Sequence, residues 1–138
     1  MRVAYLSGAW DLLHRGHIVL LERASAWADH IVVGVLKDSE ANRRVEKSPP
    51  AQSERERLTA IRAVHLVSDA FLYHTEDDGS YSPEIQAEHA RQHFSVLIHG
   101  SDFVPTEYLG MGLPILLLPY TEGISSSALR KQLMGAHA

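Results

Sequence analysis

The sequence predicts one α/β domain in which helices cover both faces of a five-stranded parallel sheet. Short apolar runs, typical of buried strands, alternate along the chain with segments whose apolar residues recur at helical spacing. The run HIVVGVL at 30–36 is almost wholly apolar and rich in β-branched residues, which is typical of a strand covered on both faces. A length of 138 residues fits a single domain over residues 1–138. Right-handed crossovers between the strands then give three layers, α/β/α.

The apolar runs locate the strands. VAYL at 3–6 closes with Ser7 and Gly8, and FSVLIHG at 94–100 ends on a glycine. The five predicted strands are 3–6, 30–36, 70–73, 94–100 and 115–118. Between them, the polar and basic segment 37–50 predicts a loop that ends in two prolines, and DDGSY at 77–81 predicts a turn.

Helix-start residues locate the helices. Ser53, followed three residues later by Glu56, predicts a capping box at the start of one helix. Ser82 is the expected cap of another helix, with Pro83 at its first position. The predicted helices are 16–29, which we expect to be largely buried, one beginning after Ser53, 83–93 and 125–133.

The composition excludes several classes of protein. The net charge is −4 and the pI is near 6.1, so nothing attracts the chain as a whole to nucleic acid or to an anionic membrane. The absence of cysteine excludes disulfides, thiolate catalysis and cysteine-ligated metals. The sequence has no apolar stretch of membrane-spanning length and no signal-peptide pattern, so we expect a soluble cytoplasmic protein.

The segment GAWDLLHRGH, residues 8–17, carries the most specific chemistry. Gly8 ends the first strand, His14 comes just before the first helix, and His17 falls in its first turn. Two imidazoles beside the positive end of a helix suit an anion such as a phosphate. Histidines three residues apart could instead bind a metal, although no third ligand is evident nearby, and either histidine alone could simply bond a loop carbonyl.

The residues of this segment resemble a known family. HRGH resembles the HxGH signature of nucleotidyltransferases, and GAWDLLHRGH resembles the GxFDLLHxGH form found in cytidylyltransferases. TEGISSSALR at 121–130 resembles the second signature of that family, TEGISTT followed by a helix. The chain is most similar to glycerol-3-phosphate cytidylyltransferases, over nearly its whole length.

The resemblance implies a Rossmann-like nucleotidylyl transferase fold and the transfer of CMP from CTP to an alcohol phosphate such as glycerol 3-phosphate. Pyrophosphate leaves, and Mg²⁺ is expected to arrive with the nucleoside triphosphate, although its protein ligands cannot be read from the sequence. The resemblance also implies a homodimer with no nucleic-acid or membrane partner. We expect the apolar side chains of Trp10, Phe71 and Tyr73 either to be exposed for that dimer or to belong to the core.

The resemblance also implies roles for individual residues. The expected catalytic residues are His14, His17, Lys47 and Arg57. The expected nucleotide-binding residues are Gly8, Ala9, Trp10, Asp11, His14, His17, Arg57, Gly100, Asp102, Tyr120, Thr121, Gly123, Ile124, Ser125, Ser126 and Ser127. The expected binding residues for the alcohol phosphate are Asp11, Asp38, Arg44, Lys47 and His65. Simpler structural roles remain open for three of these features: a turn cap for Asp11, a surface position for Arg57, and helix capping for the three serines.

Four positions depart from the family pattern and keep other functions open. His65 and Tyr120 stand where the family has arginine, and Ser68 and Ser101 stand where it has aspartate. One alternative is an adenylyltransferase that acts on a vitamin-derived phosphate. The other is a nucleotide-binding module that has kept the fold without turnover.

Overall fold

A computed structural model of the protein describes residues 1–41, 49–76, 78, 80–101 and 103–119. The strands are β1 Val3–Gly8, β2 His30–Leu36, β3 Asp69–Tyr73, β4 Val96–Gly100 and β5 Ile115–Leu118. The helices are α1 Arg15–Ser25, α2 Asp38–Ala41, α3 Glu54–Arg62, α4 Pro83–Gln92 and α5 Thr106–Leu109. The five predicted strands are confirmed, with bounds that differ by two residues at most. The predicted helix 125–133 lies outside the described residues.

The five strands form one parallel sheet in the order β3-β2-β1-β4-β5. The central strand β1 pairs with β2 from Val3↔His30 to Gly8↔Val35, and with β4 at Ala4↔Val96 and Tyr5↔Leu97. Strands β2 and β3 lie on one side of β1, and β4 and β5 lie on the other side. The direction in which strands are added therefore reverses between β3 and β4. This reversal makes a switch point beside the carboxyl ends of β1 and β4, where parallel sheets bind ligands.

Two hydrophobic clusters cover the two faces of the sheet, as the period-two alternation of β1 requires. Ala4 and Leu6 pack with α1 and α3, through residues such as Leu21 and Ile61. On the other face, Val3 and Tyr5 pack with α4 and α5 in a cluster that includes Ile85, Phe94 and Tyr108. The structure thus confirms the expected fold class, a Rossmann-like three-layer α/β/α domain.

The helix beginning after Ser53 starts as predicted. Ser53 Oγ accepts a hydrogen bond from Glu56 N at 3.2 Å, and Glu56 Oε1 accepts one from Ser53 N at 3.1 Å. Pro83 occupies the first turn of α4, but Ser82, at the N-cap position, makes no side-chain capping bond. The structure therefore confirms the capping box on α3 and the proline start of α4.

Two expectations about local structure are wrong, and one alternative left open by the sequence is decided. Helix α1 ends at Ser25 rather than 29 and buries only Leu21 and Ala24 fully, because it lies on the outside of the sheet with one face toward solvent. The predicted loop 37–50 begins with α2, since Asp38 is fixed by reciprocal hydrogen bonds with the start of α3. Trp10 and Tyr73 are buried, so neither is an exposed dimer contact.

Phe71, the third apolar side chain considered for a dimer, packs against the core cluster on the α4 side. The alternative of a core role holds for all three aromatic residues. Over the described part of the chain, none of the helices has the length and apolarity needed to cross a bilayer.

Candidate functional site

The site begins at the carboxyl end of β1, where residues 9–14 form what we call the histidine loop, between β1 and α1. Trp10 has φ 57° and Leu12 has φ 49°, so two residues with side chains adopt the left-handed conformation within three positions. Each such residue costs on the order of 1–3 kcal/mol and persists only where surrounding contacts fix it. The loop therefore depends on contacts from other parts of the chain.

The two imidazoles cap the start of α1 in a reciprocal arrangement. His14 is the N-cap residue, and its Nδ1 accepts a hydrogen bond from Gly16 N at 2.9 Å. Nδ1 of His17 accepts a hydrogen bond from His14 N at 3.2 Å, and the two rings stack with centroids 4.0 Å apart. Because each Nδ1 accepts a backbone N–H, the hydrogen of each neutral ring is on Nε2. Both rings thus have a fixed tautomer with Nε2–H as donor.

Burial also fixes the charge of these rings. The pKa of His17 is lowered to about 3, first by burial and then by the neighbouring His14, while Asp11 acts in the opposite direction. Burial likewise lowers the pKa of His14. At neutral pH both imidazoles are therefore uncharged. They can offer directed hydrogen bonds to an anion, while any positive charge must come from other groups.

Asp11 and Trp10 anchor the histidine loop from within. Asp11 is fully buried, and its two carboxylate oxygens accept hydrogen bonds from Ala51 N at 2.8 Å and Gln52 N at 3.0 Å. The indole of Trp10 donates to the carbonyl of Gly34 on β2 at 3.1 Å. Asp11 thus ties the histidine loop to the segment before α3.

Arg57 is fully buried and connects four segments at the carboxyl edge of the sheet. Its Nη1 donates to the carbonyls of Ala9 and Leu36, each at 2.8 Å, and its Nε donates to that of Gln52 at 3.1 Å. Its Nη2 pairs with Asp38 Oδ1 at 2.7 Å. The alternative of a surface position is therefore wrong. Within the described residues, the guanidinium contacts three backbone carbonyls and one carboxylate.

Asp38 was expected to bind the alcohol phosphate. One of its oxygens pairs with Arg57 and the other accepts a hydrogen bond from Glu54 N at 3.1 Å. The structure thus gives both Asp38 and Arg57 a supporting role beneath the histidine loop.

His65 lies away from the histidine loop. Helix α3 connects two parallel strands, so it runs back from the carboxyl edge to the amino edge over about 13 Å. Ser68, three residues after His65, bonds the backbone of Ile31 at the start of β2 through both its main chain and its hydroxyl. His65 follows the end of α3 and is exposed at that amino edge, so the fold does not bring it to the expected site residues that the structure describes.

The remaining expected residues fall into two groups. Gly8 and Gly100 end β1 and β4 at the carboxyl edge, on either side of the switch point. Outside the described residues lie Arg44, Lys47, Asp102, Tyr120, Thr121, Gly123, Ile124, Ser125, Ser126 and Ser127. In the described ranges, His, Asp and Glu side chains form no group of three or more that could hold a metal ion.

Several residues at this edge were missed by the sequence analysis. Tyr108 Oη accepts a hydrogen bond from Ser7 N at 2.8 Å and donates one to the carbonyl of Ile98 at 2.9 Å, which ties β1 to β4. Ser7 Oγ donates to the buried Glu107 at 3.0 Å, and Gln52 Oε1 accepts from Leu12 N at 2.9 Å. No local pattern marks these pairs, since their partners lie 10 to 101 positions apart in the sequence.

Comparison with known proteins shows which family the chain belongs to. The family model described as cytidylyltransferase-like matches residues 5–132, a range that contains both the histidine loop and residues 121–130. The chain belongs to the cytidylyltransferase-like family of nucleotidyltransferases. The resemblance on which the sequence analysis depended is therefore confirmed at the level of the family.

This cytidylyltransferase-like chain is similar to curated proteins described as "Bifunctional protein HldE". It is 33% identical over 135 residues to the one from Bradyrhizobium sp. (strain ORS 278), which covers 94% of this chain and 26% of the relative. It is 26% identical over 137 residues to the one from Wolinella succinogenes, covering 98% and 27%. The chain thus spans about a quarter of the length of these relatives.

A solved structure has the same fold. The lipopolysaccharide core biosynthesis protein from Thermoplasma volcanium GSS1 superposes with a TM-score of 0.64 at 23% identity, covering 88% of this chain and 97% of that one. At this identity the similarity concerns the fold alone.

Proposed function

We propose that the protein transfers CMP from CTP to an alcohol phosphate such as glycerol 3-phosphate and releases pyrophosphate. The observation that carries this proposal is the pair of stacked, uncharged imidazoles at the start of α1, each with Nδ1 bonded to the backbone and Nε2–H as donor. Such donors suit phosphate oxygens, and they lie at the edge of the sheet where the family binds its nucleotide.

The proposed reaction balances without a proton transfer to the enzyme. An oxygen of the alcohol phosphate attacks the α-phosphorus of CTP, and a new P–O bond forms there. The bond from the α-phosphorus to the oxygen that bridges to the β-phosphorus breaks, and pyrophosphate leaves with the electron pair. A phosphate monoester has a second pKa of about 6, so at neutral pH it is already mostly dianionic and needs no general base. Neutral histidines that act only as donors fit this chemistry.

The positive charge for this reaction is assigned to other groups. The two imidazoles are uncharged, and the guanidinium of Arg57 is occupied by carbonyls and Asp38. We assign charge neutralisation to Lys47 and Arg44 and to Mg²⁺, which supplies a Lewis acid on the phosphate oxygens. Because Asp11 is committed to backbone N–H groups, the histidine loop offers no carboxylate cage, so the triphosphate and water would supply most ligands of the ion.

The nucleotide is assigned to the switch point between β1 and β4. Gly8 and Gly100 allow close approach of the backbone there. Gly123 and Ser125–Ser127 are proposed to hold the β- and γ-phosphates, with Asp102, Tyr120, Thr121 and Ile124 beside them, as the family resemblance implies. The same resemblance supports a homodimer without nucleic-acid or membrane partners, and the proposed substrates support a cytoplasmic location.

The base of the donor and the class of the acceptor each have an alternative. The relatives named above are described as bifunctional HldE proteins rather than as glycerol-3-phosphate enzymes. An adenylyltransferase, with ATP as the donor and a vitamin-derived phosphate as the acceptor, therefore stays an alternative. A non-catalytic nucleotide-binding module of the same fold is the remaining alternative.

The experiment is a pyrophosphate-release assay with Mg²⁺, each of the four nucleoside triphosphates, and a panel of acceptors. The panel contains glycerol 3-phosphate, sugar phosphates and vitamin-derived phosphates. We expect release with CTP and an alcohol phosphate. Release with ATP alone would favour the adenylyltransferase, and no release with any pair would favour the module.

His17→Asn tests the role of the imidazole in this assay. Its side-chain oxygen can accept the hydrogen bond from His14 N that Nδ1 of His17 now accepts, but its amide N–H groups do not reach the position of Nε2–H. We expect turnover to fall by about 10²–10³-fold while the thermal midpoint stays near that of the unmodified protein. Full activity in this variant would mean that the imidazole only caps the helix.

A further inference from the structure

We propose that Gln52 is a positioning residue for the proposed reaction, because it fixes the strained part of the histidine loop and thereby the two imidazoles. Its Oε1 accepts a hydrogen bond from Leu12 N at 2.9 Å, across 40 positions of sequence. Leu12 is one of the two residues of that loop with a left-handed backbone. This inference rests on the proposed function only where it concerns turnover.

The backbone of Gln52 is fixed independently of its side chain. Its N–H donates to Asp11 Oδ1 at 3.0 Å, and its carbonyl accepts from Arg57 Nε at 3.1 Å. Both of these contacts involve main-chain atoms of Gln52, so a substitution at this position leaves them available. The amide side chain can therefore be changed while the segment before α3 stays attached to the loop.

The hydrogen bond between Gln52 and Leu12 affects the position of His14 because only one residue separates Leu12 from His14. Leu12 lies two residues before His14, whose backbone N–H bonds Nδ1 of His17 and whose ring accepts from Gly16 N. Without an acceptor at Gln52, Leu12 N–H has to find another partner, and a leucine with a positive φ has a lower-energy conformation nearby. A change at Leu12 therefore moves His14 and loosens both bonds that fix the tautomers of the two rings.

The test compares Gln52→Leu, which has no acceptor, with Gln52→Glu, which keeps one in the same place. Arg55→Leu is the matched control, since Arg55 is exposed on the first turn of α3. The first measurement is the ¹⁵N spectrum of the histidine rings in the ligand-free protein at neutral pH. We expect separate Nδ1 and Nε2 signals for His14 and His17 in the unmodified protein, in Gln52→Glu and in Arg55→Leu, and averaged signals in Gln52→Leu.

The second measurement is turnover with the best substrate pair from the release assay. We expect kcat of Gln52→Leu to fall roughly 10- to 100-fold, with KM for the triphosphate little changed, because the loss is one of orientation. Gln52→Glu should recover most of kcat. An unchanged ring spectrum and an unchanged kcat in Gln52→Leu would overturn the proposal.

These measurements also separate this proposal from the proposed function. If the unmodified protein turns over no substrate pair, the proposed reaction fails, and the ring spectrum alone decides whether Gln52 positions the histidines. Should Gln52→Leu fold poorly, Gln52→Met also lacks an acceptor of comparable strength and tests the same contact.

Discussion

At the scale of single residues, the surroundings of the histidines set what they can do. His17 is uncharged at neutral pH because burial lowers its pKa, and its Nδ1 accepts a backbone hydrogen bond. His74 shows the opposite behaviour. Hydrogen bonds to Glu84, at 2.7 Å, and to Glu76, at 2.9 Å, raise its pKa. The same residue type is thus a neutral donor at one site and a member of an ion pair at another.

This contrast predicts the pH dependence of two histidines. In an NMR titration we expect the ring signals of His17 to stay constant down to about pH 4, since its pKa is about 3, and those of His74 to titrate above the ordinary value of 6.5. A ring of His17 that titrates near pH 6.5 would contradict the assigned neutral state.

The pKa shifts of His17 and His74 make stability depend on pH in opposite directions. Between pH 6.5 and about 3 the unfolded chain protonates His17 while the native protein does not, so the free energy of unfolding falls as the pH falls. The slope is at most about 1.4 kcal/mol per pH unit. His74 contributes stability below pH 6.5 that is lost as the pH rises through its raised pKa. The contribution of His17 to the pH dependence of stability is measured by comparing two proteins between pH 6.5 and about 3. The quantity compared is the free energy of unfolding of the unmodified protein and of His17→Asn.

At the scale of secondary-structure elements, α3 does more than cover the sheet. Its first two turns supply Arg57, and the segment before it supplies Gln52 and Ala51, so this region contacts the histidine loop and the ends of β2 and α2. The capping box of Ser53 fixes where α3 begins, and with it the point from which Arg57 extends. The start of the helix is a local property of the sequence, whereas the partners of Arg57 are not.

Arg57→Met tests the role of this arginine. Methionine has a similar length but no donors, so the buried carbonyls of Ala9, Leu36 and Gln52 lose their partners. We expect the free energy of unfolding, measured in urea, to fall by about 3–5 kcal/mol.

Arg55→Met, an exposed change on the same helix, is the control, and we expect its effect to stay within about 0.5 kcal/mol. If Arg57→Met kept its stability and lost only turnover, the guanidinium would serve a phosphate, as the family resemblance implies.

At the scale of the whole molecule, the centre of the sheet is packed around Tyr5. Its ring stacks on Phe94 with centroids 4.7 Å apart, and its hydroxyl, which has no hydrogen-bond partner within the described residues, lies against Gly34 on the neighbouring strand. A Cβ at position 34 would collide with that hydroxyl and meet Tyr73 Cδ1 at 3.0 Å. Glycine at this position therefore leaves room for the Tyr5 ring to lie against β2 on that face of the sheet.

This packing predicts that Gly34→Ala destabilises the protein by about 1–3 kcal/mol through overpacking. Adding Tyr5→Phe removes the hydroxyl, and the double variant should recover part of the loss in a urea unfolding experiment. Equal effects of Gly34→Ala with and without the hydroxyl would mean that the collision lies elsewhere.

The sequence alone determined the strands, the parallel three-layer fold, the place of the histidines at the start of α1 and the family. These follow from local periodicity, capping residues and two contiguous motifs, all of which act over a few residues. Only the tertiary structure decided the charge state and tautomer of His14 and His17, the burial of Arg57, the position of His65 at the opposite edge and the contact of Gln52. Each of those depends on burial or on hydrogen bonds between segments brought together by folding, and no short stretch of sequence specifies its distant partner.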